Sequence, residues 1–238
     1  MSTAALFESL ASRYDELWTD TAVGRAQRSA VWRITDPLFH RGDRVLDIGC
    51  GTGKDAAHLA DRGVAVHAID PSAAMAARAS ARGGFAVQVL AAEDLAQLEP
   101  RTFDGAISNF GALNCVADPA GIARSLGALV RPGGSVAICI IGRFCAWETL
   151  YYGARFKFRK ALRRWPGRAG DIHYPSVRHL RAAFSPDFEL QRWTGIGALV
   201  PPSYVKLPVF LVNLLAALEP LRFLRSCADH RLLVFVRK

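Results

Sequence analysis

Val45-Leu46-Asp47-Ile48-Gly49-Cys50-Gly51-Thr52-Gly53 is the stretch that decides the fold. Val45-Leu46-Asp47-Ile48 reads as a short apolar strand. Gly49, Gly51 and Gly53 then alternate through a turn, and Lys54-Asp55-Ala56-Ala57-His58-Leu59-Ala60 opens a helix. Glycines at this spacing let the chain turn sharply and bring bare backbone close to a ligand. The helix N-terminus that follows offers free N–H groups. A second strand, Val64-Ala65-Val66-His67-Ala68-Ile69, ends in Asp70. A carboxylate there is positioned to accept both hydroxyls of a ribose. The opening strand–helix–strand unit thus predicts a nucleoside-like ligand at the C-terminal ends of its strands.

The glycine spacing narrows the ligand. A dinucleotide fingerprint is G-x-G-x-x-G, whereas this chain has Asp47-x-Gly49-x-Gly51-x-Gly53. Asp47 would repel a pyrophosphate and suits a ligand with a positive pole. Here the sequence resembles the class I S-adenosylmethionine-dependent methyltransferases, whose first motif reads D-x-G-x-G-x-G with an acidic residue after strand two. Three later stretches match that family in order. Ala92-Glu93-Asp94-Leu95-Ala96-Gln97-Leu98 follows a third strand over Ala86-Val87-Gln88-Val89-Leu90 and is similar to the family's D-x-x-x-L segment. The resemblance puts Asp94 first and Glu93 second as the acid facing the adenine amino group; the structural alternative is that both cap the short helix. Phe103-Asp104-Gly105-Ala106-Ile107-Ser108-Asn109-Phe110-Gly111 looks like strand four and the loop beside the methyl group. Arg131-Pro132-Gly133-Gly134 reads as a turn into strand five, Ser135–Ile141.

The resemblance implies an α/β, Rossmann-like fold: a seven-stranded, mostly parallel sheet with helices on both faces, an antiparallel last strand and a helical lid insertion. One domain is expected over 1–238, with a helical cover (1–40, broken near Thr19–Thr21), a cofactor-binding core (41–141), a lid (142–175) and a C-terminal part (176–238). The last part should hold a helix over 176–184, a strand over 188–196, a long apolar helix over 203–223 capped by Ser203, and a closing strand from Arg231. The cofactor is expected to be S-adenosyl-L-methionine, contacted by Tyr14, Asp47, Gly49, Cys50, Gly51, Gly53, Asp70, Pro71, Glu93, Asp94, Leu95, Asn109 and Phe110. Methyl transfer from a sulfonium needs alignment and, for a hydroxyl acceptor, a base. His173 and Tyr174, where the lid rejoins the core, are the candidate catalytic pair. Cys50 looks inert, Asn114 looks like a loop pin, and Tyr151, Tyr152 and Tyr204 are candidates to line an aromatic acceptor pocket. Non-catalytic S-adenosylmethionine binding is the alternative from another class.

Composition sets the remaining bounds. Five scattered cysteines form no C-x-x-C pair and no zinc spacing, which argues for a reducing cytoplasm and no metal. The longest apolar stretch, 207–218, is too short to span a bilayer, and the N-terminus does not read as a signal peptide. The net charge is +9, yet residues 143–168 contribute +7 of it: eight basic side chains against Glu148. Trp147, Leu150, Tyr151, Ala154, Phe158, Ala161, Leu162 and Trp165 fall at helical spacing, which predicts one basic amphipathic helix with Arg155, Arg159 and Arg163 on another face. Three readings stand: a solvated face packed by its aromatic stripe, a lid steering an acidic or aromatic small-molecule acceptor, or a membrane-surface helix serving a lipid or isoprenoid acceptor. No nucleic acid is expected, because no RNA-binding module is appended and Asn109-Phe110-Gly111-Ala112 lacks the N/D-P-P-Y/F signature of base methylation. The oligomeric state is not legible.

Overall fold

The computed structural model describes residues 3–205, 207–218 and 222–238. Seven strands form one sheet: β1 (Arg44–Ile48), β2 (Ala65–Asp70), β3 (Ala86–Val89), β4 (Phe103–Ser108), β5 (Val130–Ile141), β8 (Phe188–Ile196) and β9 (His230–Arg237). A separate hairpin pairs β6 (Arg168–Ala169) with β7 (Ile172–His173). The sheet order is β3-β2-β1-β4-β5-β9-β8. β1 to β5 are mutually parallel, and β9 runs antiparallel between β5 and β8. The expected Rossmann-like topology therefore holds, and its order reverses at β1 and β4, where such sheets open a crevice at their strand ends.

The helices are α1 (Thr3–Leu10), α2 (Ala22–Thr35), α3 (Lys54–Asp61), α4 (Ala73–Arg82), α5 (Pro119–Leu129), α6 (Ala146–Gly153), α7 (Phe158–Ala161), α8 (Val177–Phe184) and α9 (Val209–Leu218). Side-chain caps fix the starts of several. Thr21 accepts from Gly24 N at α2, Ser72 from Met75 N at α4, and Ser176 from His179 N at α8. Period-two alternation splits the core between the two faces of the sheet. Leu46 and Ile48 pack with Leu126, Phe184 and Phe235 on one side; Val45 packs with Val31, Ala56 and Leu59 on the other.

Three expectations need correction. Strand β5 starts at Val130, five residues early, because Pro132-Gly133-Gly134 forms a register shift within the strand rather than a turn ahead of it. The apolar C-terminal helix spans Val209–Leu218 and follows Pro208, whose carbonyl accepts from Leu211 N and Val212 N, so Ser203 is not its cap. Residues 206 and 219–221 of that expected helix lie outside the described residues. The single helix expected over 143–168 is two short ones, α6 and α7, joined through Phe156 at φ +56. Its stripe divides: Ala161 is buried, whereas Leu150, Phe158, Leu162 and Trp165 are exposed. Periodicity revealed a stripe but not which side of it would find a partner.

Candidate active site

A cavity of about 390 Å3 opens at the C-terminal ends of β1, β2 and β4. Its floor is the turn after β1. The three glycines of that turn all have positive φ, and each is required for a different reason. A Cβ on Gly49 would stand 2.3 Å from the Ala112 Cβ, and one on Gly53 would stand 2.9 Å from Ala79 and from the Phe85 ring. A Cβ on Gly51 would meet nothing within 4 Å, because Gly51 borders the cavity. Gly49 and Gly53 therefore serve packing, and Gly51 leaves room for a ligand.

Asp70 lies at the end of β2, buried and on the cavity wall. Its Oδ2 accepts from Gly51 N at 2.8 Å and its Oδ1 from Ser72 N at 2.9 Å, so the backbone on both sides fixes the carboxylate plane. Burial raises its pKa, and the two N–H groups oppose the rise. Each carboxylate oxygen can accept a further hydrogen bond. Asn109, just after β4, lines the same cavity, and its buried Oδ1 has no hydrogen-bond partner among the described residues.

The N-terminal segment closes the cavity from above. Phe7 and Tyr14 line it, with ring centroids 6.3 Å apart. Two carboxylates fasten this cover. Glu8 accepts from Ser72 Oγ at 2.5 Å and from Ala74 N at the start of α4. Asp15 accepts from Thr52 Oγ1 at 2.6 Å and from Arg82 at 2.5 Å. Burial pushes the Tyr14 phenol up to about 12, so it stays protonated. At the far end Phe110, at φ +54, faces Trp18 edge-on at 4.7 Å. The Arg28 guanidinium sits over both rings and pairs with Asp55, which also accepts from Trp32 Nε1 at 2.7 Å.

Of the residues singled out in the sequence, Tyr14, Gly49, Gly51, Asp70, Pro71, Glu93, Asn109 and Phe110 line the cavity. Gly53 packs beneath the turn, and the Cys50 thiol, raised by burial, is not on the wall. Asp47 is fully buried under the turn, on the face of β1 that carries Val45, and burial raises its pKa well above the usual range. Its Oδ2 has no protein partner. Glu93 borders the cavity while Asp94 points to solvent and Leu95 into the core, reversing the expected order of the two acids. The tight helical turn over Ala92–Gln97 rotates consecutive side chains apart, and sequence similarity does not resolve a one-residue register.

His173 and Tyr174 do not reach the cavity. His173 ends, and Tyr174 follows, the short β6–β7 hairpin, whose tip residue Asp171 borders the cavity that Glu93 and Cys115 also line. The His173 carbonyl accepts from Asn114 Nδ2 at 2.6 Å, and Asn114 Oδ1 accepts from Ile141 N at 2.8 Å, so Asn114 pins the hairpin to β5. Tyr174 is buried with the Arg164 guanidinium over its ring. Tyr151, Tyr152 and Tyr204 pack edge-on or tilted against one another at 5.2–5.5 Å and do not line the cavity.

Behind Phe110 the sequence concealed a buried charge network. Glu148, the lone acid of the basic stretch, accepts from Arg163 and Arg164. Arg164 also donates to Asp229 at 2.8 Å. Asp229 Oδ2 lies 3.6 Å from Nδ1 of the buried His230, whose ring meets Phe110 edge-on at 5.4 Å. Burial pulls the His230 pKa below 6.5; Asp229 opposes this, and Arg164 and Arg231 add to it. As pH falls below 6.5 the unfolded chain takes up a proton that the fold resists, so stability declines. Each pH unit between the unfolded and folded values costs about 1.4 kcal/mol. Asp47 and Asp70, both raised, act in the opposite sense, so the readout is a difference. Urea midpoints measured from pH 7.5 to 5.5 should fall more steeply for the wild type than for His230→Gln; parallel slopes would refute the assignment.

The fold and this cavity define the Rossmann-like architecture of the S-adenosylmethionine-dependent methyltransferases. The chain matches the model of the methyltransferase domain family over residues 9–188, and it belongs to that family. It is 34% identical over 142 residues to a demethylmenaquinone methyltransferase of Clavibacter sepedonicus, covering 57% of this chain and 56% of that protein. It is 40% identical over 114 residues to a ubiquinone biosynthesis O-methyltransferase of Ralstonia nicotianae, covering 46% and 47%. The matches thus span about half the length of these curated relatives. A solved S-adenosylmethionine-dependent methyltransferase from Thermotoga maritima superposes with a TM-score of 0.67 at 20% identity, over 98% of this chain and 99% of that one. The cofactor of the family, S-adenosylmethionine, is compatible with the residues present: the room beside Gly51 and the oriented Asp70 carboxylate suit a nucleoside with a free ribose diol.

Proposed function

We propose that this protein transfers a methyl group from S-adenosylmethionine to a hydroxyl oxygen of a small aromatic acceptor. The observation that carries the reading is the Asp70 carboxylate, held by Gly51 N and Ser72 N on a cavity wall where a ribose diol can donate to it. Glu93 is the acid proposed for the adenine amino group, because it borders the same cavity. Asn109 and Phe110 are proposed for the methyl-transfer end, next to the edge-on Trp18. An aromatic acceptor is favoured by that wall and by the name of the ubiquinone biosynthesis O-methyltransferase to which the chain is similar.

The bound cofactor supplies an electrophilic methyl on a positive sulfur. The chain contributes alignment and dehydration. Gly51 and Asp70 fix the nucleoside, and the cover carrying Phe7 and Tyr14, fastened through Glu8 and Asp15, excludes water. Nitrogen acceptors are a second outcome of the same screen, since neither His173 nor Tyr174 stands where a phenol would need its base.

Calorimetry with S-adenosylmethionine, followed by a screen for S-adenosylhomocysteine release over phenols, catechols and amines, tests the proposal. Binding with release only from hydroxyl acceptors supports it, binding without release from any acceptor favours a non-catalytic cofactor-binding role, and no binding refutes it. Asp70→Ala should weaken cofactor binding by about 1–3 kcal/mol, the scale for losing charge-assisted hydrogen bonds. Asp70→Glu should also weaken it, because the extra methylene displaces the fork. Unchanged affinity in Asp70→Ala would mean that the ribose lies elsewhere.

A further inference from the structure

The described surface has one segment that combines exposed aromatics with unpaired cations. Residues 154–160, Ala154-Arg155-Phe156-Lys157-Phe158-Arg159-Lys160, are all exposed. Phe156 is 83% exposed and Phe158 57%, and their rings meet edge-on at 6.2 Å. Leu150, Leu162 and Trp165 flank them and are also exposed. A bulky residue at positive φ is strained, so the backbone at Phe156 holds a large apolar ring in water at a cost. Arg155 lies over the Tyr151 ring and Lys160 over the Tyr152 ring. None of Arg155, Lys157, Arg159 and Lys160 pairs with a described carboxylate. The acid within this stretch, Glu148, is buried and taken up by Arg163 and Arg164.

We propose that the insertion tip around Phe156 and Phe158 docks on an anionic lipid bilayer, with the aromatic side chains in the interface and the cations on the lipid phosphates. The charge of the tip selects the partner. Four cations with no internal counter-charge require an anionic surface, and the interleaved apolar rings require that surface to have an apolar interior within a side chain's reach. A lipid leaflet offers both at once. A second apolar surface lies close in the chain: Tyr204 packs tilted against Tyr151 and Tyr152, and five residues on α9 exposes Val209, Phe210 and Leu214. No helix of the described residues is long and apolar enough to cross a membrane, so the contact is peripheral. The inference is independent of the proposed reaction, because docking is read without cofactor or acceptor.

The test is co-sedimentation of the full chain with vesicles of phosphatidylcholine alone and of phosphatidylcholine with phosphatidylglycerol. The wild type should bind the anionic vesicles and remain in the supernatant with the neutral ones. Phe156→Asn with Phe158→Ser should weaken binding at least about tenfold, and Lys157→Gln with Arg159→Gln and Lys160→Gln should weaken it by a similar factor. Asn tolerates positive φ, so the first variant should fold; S-adenosylmethionine affinity in both variants, measured by calorimetry, should match the wild type. A wild type that ignores anionic vesicles overturns the proposal. So does binding that depends on the cations but not on the phenylalanines, which is adsorption without insertion. A dimer in sedimentation velocity that Phe156→Asn abolishes would assign the patch to a second copy of the chain instead.

Discussion

Gly51→Val is expected to abolish S-adenosylmethionine binding, with a loss beyond about a hundredfold, while the chain still folds. Gly51 is the motif glycine whose added Cβ meets no protein atom within 4 Å, and it borders the cavity where the nucleoside is proposed to lie. A branched side chain there would fill ligand space. Its φ of +55 adds strain of about 1–3 kcal/mol, which for a chain of this size lowers Tm by about 2–4 °C per kcal/mol. The circular dichroism spectrum should be preserved and the calorimetric signal lost. Gly49→Val is the contrasting variant: its Cβ would stand 2.3 Å from the Ala112 Cβ, so it should lose the fold itself. A Gly51→Val protein that binds with near-native affinity would show that the turn does not cradle the cofactor.

The second large effect is on stability. Arg164→Met should destabilise the fold by about 3–5 kcal/mol, the usual consequence of removing one partner of a buried ion pair. The Arg164 side chain is 6% exposed and bridges two carboxylates at 2.7 and 2.8 Å, Glu148 on α6 and Asp229 at the foot of β9. In its absence Glu148 keeps the partly exposed Arg163, but Asp229 loses its hydrogen-bonded cation and keeps only the more distant Arg231 and His230, which burial disfavours as a cation, among the described residues. Burial alone would raise the Asp229 pKa; His230, Arg164 and Arg231 together hold it below its usual value. A carboxylate with a depressed folded pKa adds stability that is present above about pH 4 and lost as pH falls through the folded value. The gap between wild type and Arg164→Met in urea midpoint should therefore be full at pH 7 and narrow below pH 4. A loss under 1 kcal/mol at pH 7 would mean that the network contributes specificity rather than stability.

The two variants mark what each level of description could reach. Gly49, Gly51, Gly53 and Asp70 were legible because their chemistry is local. Alternating glycines between a strand and a helix constrain the backbone whatever surrounds them, and an acid closing the second strand falls at the sheet's C-terminal edge. The mostly parallel sheet with an antiparallel last strand was implied by the resemblance to the methyltransferase family, and the structure supplied the strand order. Local reading could not tell Gly51 from its neighbours, because only Ala112, Ala79 and Phe85, brought in from distant segments, separate a packing glycine from a cavity-facing one.

The insertion shows the opposite case. Its charge count and its apolar stripe were both visible in the sequence, yet the inferred single helix was wrong. Periodicity reports which side chains share a face and says nothing about what lies opposite. Glu148 and Arg164 are 16 positions apart and Arg164 and Asp229 are 65, so nothing local marks them as buried partners rather than solvated charges. Their pairing draws α6 and the turn after α7 onto β9, which breaks the helix at Phe156 and leaves half the stripe in water. In the same way, the hairpin Arg168–His173 turned Asp171, and not His173, towards the cavity. The sequence by itself determined the nucleotide-type turn, the sheet it belongs to and the family. Tertiary structure alone decided which face of each charged or aromatic element is buried, because burial depends on contacts between segments that the chain brings together only on folding.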